Sequence, residues 1–251
     1  MKKIRAFAAA TGIALALAGA SVWAGDFSVN PIRLELGAAA RSGVISVKNE
    51  SPEPLSFQLQ AMDWTQDETG KDQYADTQAL VFFPKIMTIA PGEEGLIRVG
   101  SKNAIVPSEK TYRLFIEEMP GATKKPTENG AQINVLIRFG APVFISPLKP
   151  EDTLALERLD ISQGLLTLSI KNTGNRHQMV QGIELKGSDT RGNEVYRLTL
   201  ADRYLLTGTA KSYTTTLEAG QCAKIARLAV EFKTDKLSVT RQLDVTRAMC
   251  P

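Results

Sequence analysis

Catalysis needs a few reactive residue types held close together, and this chain of 251 residues has few to offer. Its one histidine, His177, lies in the polar, turn-like run Asn172-Thr-Gly-Asn-Arg-His and reads as a surface loop residue. With no second soft ligand near it in sequence, no metal centre is expected. Serine and cysteine triads need a histidine base, which a lone loop histidine supports poorly. Glu117 and Glu118 are adjacent, so on a strand they point to opposite faces and cannot act together as a glycosidase pair. No GxSxG elbow, phosphate-cradling glycine loop or HExxH motif is present. The chain therefore reads as a non-enzyme that needs no cofactor.

The two cysteines, Cys222 and Cys250, are chemically more suggestive. In an oxidising compartment they would pair, closing a loop worth roughly 3 to 4 kcal/mol on the chain-entropy view. Two unpaired buried thiols are the alternative. Residues 1–24 supply the compartment: Lys2, Lys3 and Arg5, an alanine-rich apolar run, and Val22-Trp23-Ala24 resemble a cleavable secretory signal. The apolar run is interrupted by Thr11 and Gly12 and falls short of the roughly 20 residues a membrane-spanning helix needs. A soluble, exported, periplasmic chain beginning near Gly25 is the expectation. The charge of +3, with 30 basic and 27 acidic residues interspersed, gives no nucleic-acid surface.

The elements that must position any binding site are strands. Runs at Phe27–Leu36, Gly43–Asn49, Ser56–Trp64, Leu80–Ile89, Gly95–Gly100, Thr111–Met119 and Ala131–Ile145 are separated by turn signals such as Ser51-Pro-Glu-Pro54 and Ala90-Pro-Gly92. Seven such runs suggest an Ig-like sandwich, with Trp64 as a core aromatic. Pro147-Leu-Lys-Pro150 breaks the pattern, because closely spaced prolines do not serve a ladder interior and stiffen an extended connector. Strand signals resume from Leu154 to Val245, so the predicted organisation is 25–147 and 151–251, all β, in two sandwiches. The segment Ala131 to Pro147 is unusually long for a strand, whose typical length is about 5 to 6 residues. Its odd positions Ile133, Val135, Ile137 and Phe139 form one apolar ridge, which would suit either its own core or a neighbouring protein.

A series of residues then resembles a known family. Asn30-Pro-Ile-Arg33-Leu, Trp64, Leu80-Val-Phe-Phe-Pro84, Ile89-Ala-Pro-Gly92, Leu96-Ile-Arg98-Val and Tyr112-Arg-Leu-Phe-Ile-Glu-Glu118-Met-Pro120 are similar to the periplasmic chaperones of the chaperone-usher pathway. The resemblance implies two Ig-like domains at an angle around a cleft that holds a pilus or surface-fibre subunit. Such a subunit lacks its last strand, and the chaperone inserts its own, a form of β-augmentation. Delivery to an outer-membrane usher follows. Ile133, Val135 and Ile137 lie where the family places its donor residues, and Phe139 continues the parity.

The resemblance further implies a pair of basic residues holding the subunit's C-terminal carboxylate, of which Arg33 matches the first. Pro142 stands where the better-known branch has the second, a lysine, so Arg113, Arg138 and Lys149 are the candidates to replace it. Ser146 stands where that branch has an arginine associated with the residues matching Arg98 and Glu118, which are still expected to form a structural ion pair. These departures suggest a divergent or archaic branch. An Ig-like structural subunit or adhesin is the alternative, although only Gly25 and Asp26 precede the first strand where a donor extension would stand. A carbohydrate-binding module is less well supported at 6% aromatic residues. A free apolar donor edge also invites self-association when unloaded.

Overall fold

Alternation between buried and exposed residues builds two β-sandwiches on either side of Pro147–Pro150. The structure is a computed structural model that describes residues 27–103, 105–120 and 135–251. In the first sandwich the strands are β1 (Phe27–Asn30), β2 (Leu34–Leu36), β3 (Ser42–Asn49), β4 (Leu55–Gln66) and β5 (Asp72–Asp76). They are followed by β6 (Leu80–Phe83), β7 (Ile86–Ile89), β8 (Glu94–Ser101), β9 (Lys110–Glu118) and β10 (Arg138–Ile145). One sheet runs β1-β3-β8-β6 and the other β2-β10-β9-β4-β5, with β7 also on β4.

Prolines decide where the expected runs divide. Phe27–Leu36 splits at Pro31 and Leu80–Ile89 at Pro84, because each removes a ladder donor. Each break also transfers the chain between sheets, since β1 and β6 belong to the first sheet while β2 and β7 belong to the second. The core between the sheets gathers Ile45, Val47, Phe57, Leu59, Ile97, Val99, Leu114, Ile116, Val143 and Ile145.

The second sandwich holds β11 (Leu154–Ser162), β12 (Leu165–Asn172), β13 (Gln178–Ser188), β14 (Glu194–Leu200), β15 (Tyr204–Leu205), β16 (Ala210–Thr216), β17 (Arg227–Thr234) and β18 (Ser238–Asp244). Its sheets are β11-β12-β16 and β14-β13-β17-β18, with β15 also on β13. A separate core forms between them around Leu168, Ile170, Ile183, Leu185, Val230 and Phe232. The expected strand from Cys222 to Phe232 is shorter than the sequence suggested. A helical turn, Ala219–Cys222, carries Cys222 inward, and the strand begins at Arg227.

That turn brings Cys222 to Cys250, and the two form a disulfide with Cα atoms 5.6 Å apart, closing a separation of 28 residues. Replacing both by serine is expected to lower stability by about 3 to 4 kcal/mol, because the unfolded chain regains the freedom the loop removed. Equilibrium urea unfolding of the oxidised protein and the double variant measures it.

Candidate functional site

β10 is flanked unequally, and the imbalance defines the site. On one side it pairs with β9 along its whole length, from Arg138↔Glu117 to Ile145↔Lys110. On the other side β2 covers only Val143 to Ile145, in parallel. Among the described residues no strand pairs with Arg138–Pro142 on that side. The Glu118 N–H donates to the Ile137 carbonyl at 3.0 Å, which fixes the alternation of the ladder. The backbone groups of Arg138 and Gly140 are thereby turned away from β9, to the open edge.

The apolar row runs off the end of its own core along this edge. Val143 and Ile145 are fully buried in the first core, and Phe139 is half-buried against it. Ile137 is partly exposed, and Val135 is 76% exposed. Among the described residues regular strand structure begins at Arg138, because Val135–Ile137 has only the β9 end to lean on. Ile133 lies outside the described residues.

The four basic candidates occupy different places. Arg33 immediately precedes β2, and the parallel register sets it beside Pro142, where the open edge ends. Its Nη1 donates to Met179 Sδ of the second sandwich at 3.3 Å, and its Nε lies 3.4 Å from Glu35. Arg113 faces Pro142 from β9. Its guanidinium stacks on Trp64 at 3.8 Å, and Nη1 donates to the Gly140 carbonyl at 3.0 Å. Arg138 sits at the far end of the edge, stacked on Phe115 and 3.4 Å from Glu117. Its separation of four residues from Pro142 is about 13 Å of strand. Lys149 lies exposed in the connector beyond β10.

The expected ion pair between Arg98 and Glu118 is not formed among the described residues. Arg98 is exposed on β8 of the first sheet and Glu118 lies on β9 of the second, so the core separates them. Glu118 instead offers Oε2 to the Ile137 N–H at 3.4 Å, just ahead of β10.

His177 is buried, not a surface loop residue. It stacks on Phe144 of β10 with ring centroids 3.8 Å apart, and Nδ1 lies 2.9 Å from both oxygens of Glu109. Trp64, Phe144, Leu206 and Tyr204 complete an apolar cluster between the sandwiches, so Trp64 belongs to this joint rather than to the first core. Gln66 pins the same joint with its side-chain amide, donating to the Tyr204 carbonyl and accepting from the Leu206 N–H, each at 3.0 Å. The connector is braced from Asp152, whose carboxyl is held below its ordinary range chiefly by its hydrogen bond to Arg176.

Sequence reasoning missed this joint, although parity signalled part of it. Phe57, Leu59 and Ala61 are odd-numbered core residues of β4 and Trp64 is even, just as Phe144 is even among the odd core residues of β10. An aromatic on the face opposite the core needs a second cover, which here is the other sandwich. The Glu109–His177 pair had no such signal.

Residues 26–151 match the family described as pili and flagellar-assembly chaperone, PapD N-terminal domain. That stretch is half of the chain, and the chain belongs to this family. The family and fold are non-enzymatic, and so is this protein. No curated relative was found for it. In fold it is similar to the YadV chaperone, at 14% identity over 88% of this chain and 100% of that one, with a TM-score of 0.59. It is likewise similar to a chain of the CsuC–CsuE chaperone–tip adhesion subunit pre-assembly complex from archaic chaperone-usher Csu pili of Acinetobacter baumannii. There the identity is 16%, the coverage 87% and 98%, and the TM-score 0.58. A chain of the Salmonella enterica SafA pilin in complex with the SafB chaperone aligns at 11% identity, 86% and 96% coverage, and a TM-score of 0.59.

Proposed function

We propose that this protein is a periplasmic chaperone that binds pilus or surface-fibre subunits by donor-strand complementation and hands them to an outer-membrane usher. The single observation that carries this reading is the open edge of β10 at Arg138–Pro142, preceded by exposed Val135 and ending at Arg33. An unpaired edge beside exposed apolar side chains is a liability that folded proteins usually cover. A subunit lacking a strand carries the complementary liability, and joining the two satisfies both. Burial of each aliphatic side chain contributes roughly 1.5 to 3 kcal/mol, so Ile133, Val135 and Ile137 would supply much of the binding, with Phe139 shared between the protein's own core and the partner. Arg33 at the closed end of the edge suits a terminal carboxylate, because a charge-assisted bond strengthens as the cleft loses water.

The test is co-purification from periplasm. The wild-type protein is expected to bring down small β-rich subunits one to one. Val135→Asp, which places a charge in the apolar row, and Arg33→Ala, which removes the anchor, are each expected to lose them. Unchanged capture by Val135→Asp would leave β10 as a core strand only, with the structural-subunit reading in its place.

A further inference from the structure

A methionine of the second sandwich holds Arg33 by its sulfur. Gln178 and Val180 are buried in β13, so Met179 between them turns to the opposite face, toward the first sandwich. Its backbone is clamped, the N–H donating to Asp235 Oδ1 and the carbonyl accepting the Asp235 N–H, each at 3.0 Å. Only the flexible thioether arm is left to move. A thioether is a weak acceptor, so Sδ steadies Arg33 Nη1 at 3.3 Å without competing seriously with a carboxylate for it. Glu35 lies 3.4 Å from Arg33 Nε, but the two side chains are 36% and 51% exposed, so water screens the pair. Arg33 is therefore held loosely, and the weakness of the sulfur is what keeps it available. Met87 and Met249 pack against the two cores, where an added oxygen would enter apolar space. Met179 belongs to neither core, so its sulfur can gain an oxygen with both left intact.

We propose that Met179 is a reversible oxidation site whose sulfoxide occupies Arg33 and shuts off subunit capture. A peroxide is the oxidant: the sulfur gives up two electrons and gains one oxygen, the O–O bond breaks, and the other peroxide oxygen leaves as water. The sulfoxide oxygen carries partial negative charge and rides on the same arm, so the Arg33 N–H that rested on sulfur bonds to it instead. A hydrogen bond from a charged donor to such an oxygen is worth far more than the thioether contact it replaces. A partner's terminal carboxylate must then break that bond before it can use Arg33. Methionine sulfoxide reductases return the sulfur to the thioether and free the guanidinium. The effect on capture rests on Arg33 as the carboxylate anchor proposed above, whereas oxidation of the sulfur does not.

The test treats the whole protein with hydrogen peroxide, follows Met179 by peptide mass spectrometry, and measures binding by fluorescence anisotropy before and after. The probes are two labelled nine-residue peptides of alternating valine and threonine, one ending in a free carboxylate and one amidated. Untreated wild-type protein is expected to prefer the free acid by roughly tenfold to a hundredfold, the range for a charge-assisted hydrogen bond. Oxidation of Met179 is expected to remove most of that preference while the amidated peptide binds as before, and treatment with methionine sulfoxide reductases is expected to restore it. Met179→Leu, compared with itself, should keep whatever preference it has through the same treatment. Met179→Gln, which places an amide oxygen where the sulfoxide oxygen would stand, should show a reduced preference with no oxidant at all. Three results overturn the switch and leave the anchor standing: Met179 resisting peroxide that fully oxidises free methionine, oxidation without loss of preference, or equal loss in Met179→Leu. No acid preference in the untreated wild-type protein overturns the anchor and the switch together, and failure to bind either peptide at millimolar concentration overturns the donor edge as well.

Discussion

Replacing Phe144 by alanine is expected to cost about 3 to 5 kcal/mol, the range for removing a fully buried aromatic ring. Phe144 is fully buried, yet little of that burial comes from the first core. Its ring lies against His177 at 3.8 Å, Tyr204 at 5.7 Å and Trp64 at 5.9 Å, so two of its three ring neighbours, His177 and Tyr204, belong to the second sandwich. Removal therefore leaves a cavity between the two sandwiches rather than within one. Tyr204 and His177 are held by their own hydrogen bonds, so the cavity cannot collapse without disturbing them, which puts the cost toward the upper end.

Phe139, five residues earlier on the same strand, is the internal comparison. It is only half-buried against the first core, so Phe139→Ala is expected to cost about 1 to 2 kcal/mol. Calorimetry distinguishes the two: Phe144→Ala should separate one unfolding transition into two as the sandwiches uncouple, while Phe139→Ala lowers a single transition. Trp64 gives a second reading, since its emission should shift to the red once water reaches the joint. If Phe144→Ala melts within about 1 kcal/mol of wild type as a single transition, the aromatic cluster does not couple the sandwiches.

Much of this architecture was legible because strands declare their faces every second residue. The parity of Ile133, Val135, Ile137 and Phe139 drew attention to the strand that becomes β10, and the two cores gather their residues from either side of Pro147–Pro150. What the alternation could not supply was the end of pairing. Ala131 to Ile145 reads as one uninterrupted strand, but a ladder needs a neighbour, and β2 covers only its last three residues. The same shortage of neighbours leaves the edge on which the proposed subunit binding rests. Arg33 was proposed from its motif, whereas the place of Arg113 comes from register, since facing Pro142 is a property of the β9–β10 ladder and not of either strand alone. His177 was misread for a similar reason. Its surroundings in sequence are polar, and the partner that buries it, Glu109, is 68 residues away.

That partner is the site of the second large effect: Glu109→Ala is expected to cost about 3 to 5 kcal/mol, as for breaking a buried, hydrogen-bonded polar pair. The Glu109 carboxylate is 1% exposed and the His177 side chain 8%. Oε1 accepts the His177 backbone N–H at 2.8 Å, and both oxygens lie 2.9 Å from Nδ1. Alanine would leave the N–H and the ring nitrogen without partners in a place water reaches poorly. Glu109→Gln keeps an acceptor for the backbone N–H and should cost only about 1 kcal/mol, near the net worth of one ordinary hydrogen bond. The gap between the two variants thus separates the need for an acceptor from the need for a charge.

A double-mutant cycle with His177→Ala carries the test to the joint itself. Residues that act on one another are not additive, so the double variant should be more stable than the sum of the two single losses implies, by about 1 to 3 kcal/mol. Simple additivity would mean that Glu109 and His177 stabilise their own sandwiches separately. Because Glu109 immediately precedes β9 and His177 stacks beneath β10, the pair fastens the β9–β10 ladder to the second sandwich. Loss of the pair should therefore weaken subunit capture even though neither residue touches the open edge, and restoring the acceptor with Glu109→Gln should restore capture along with stability.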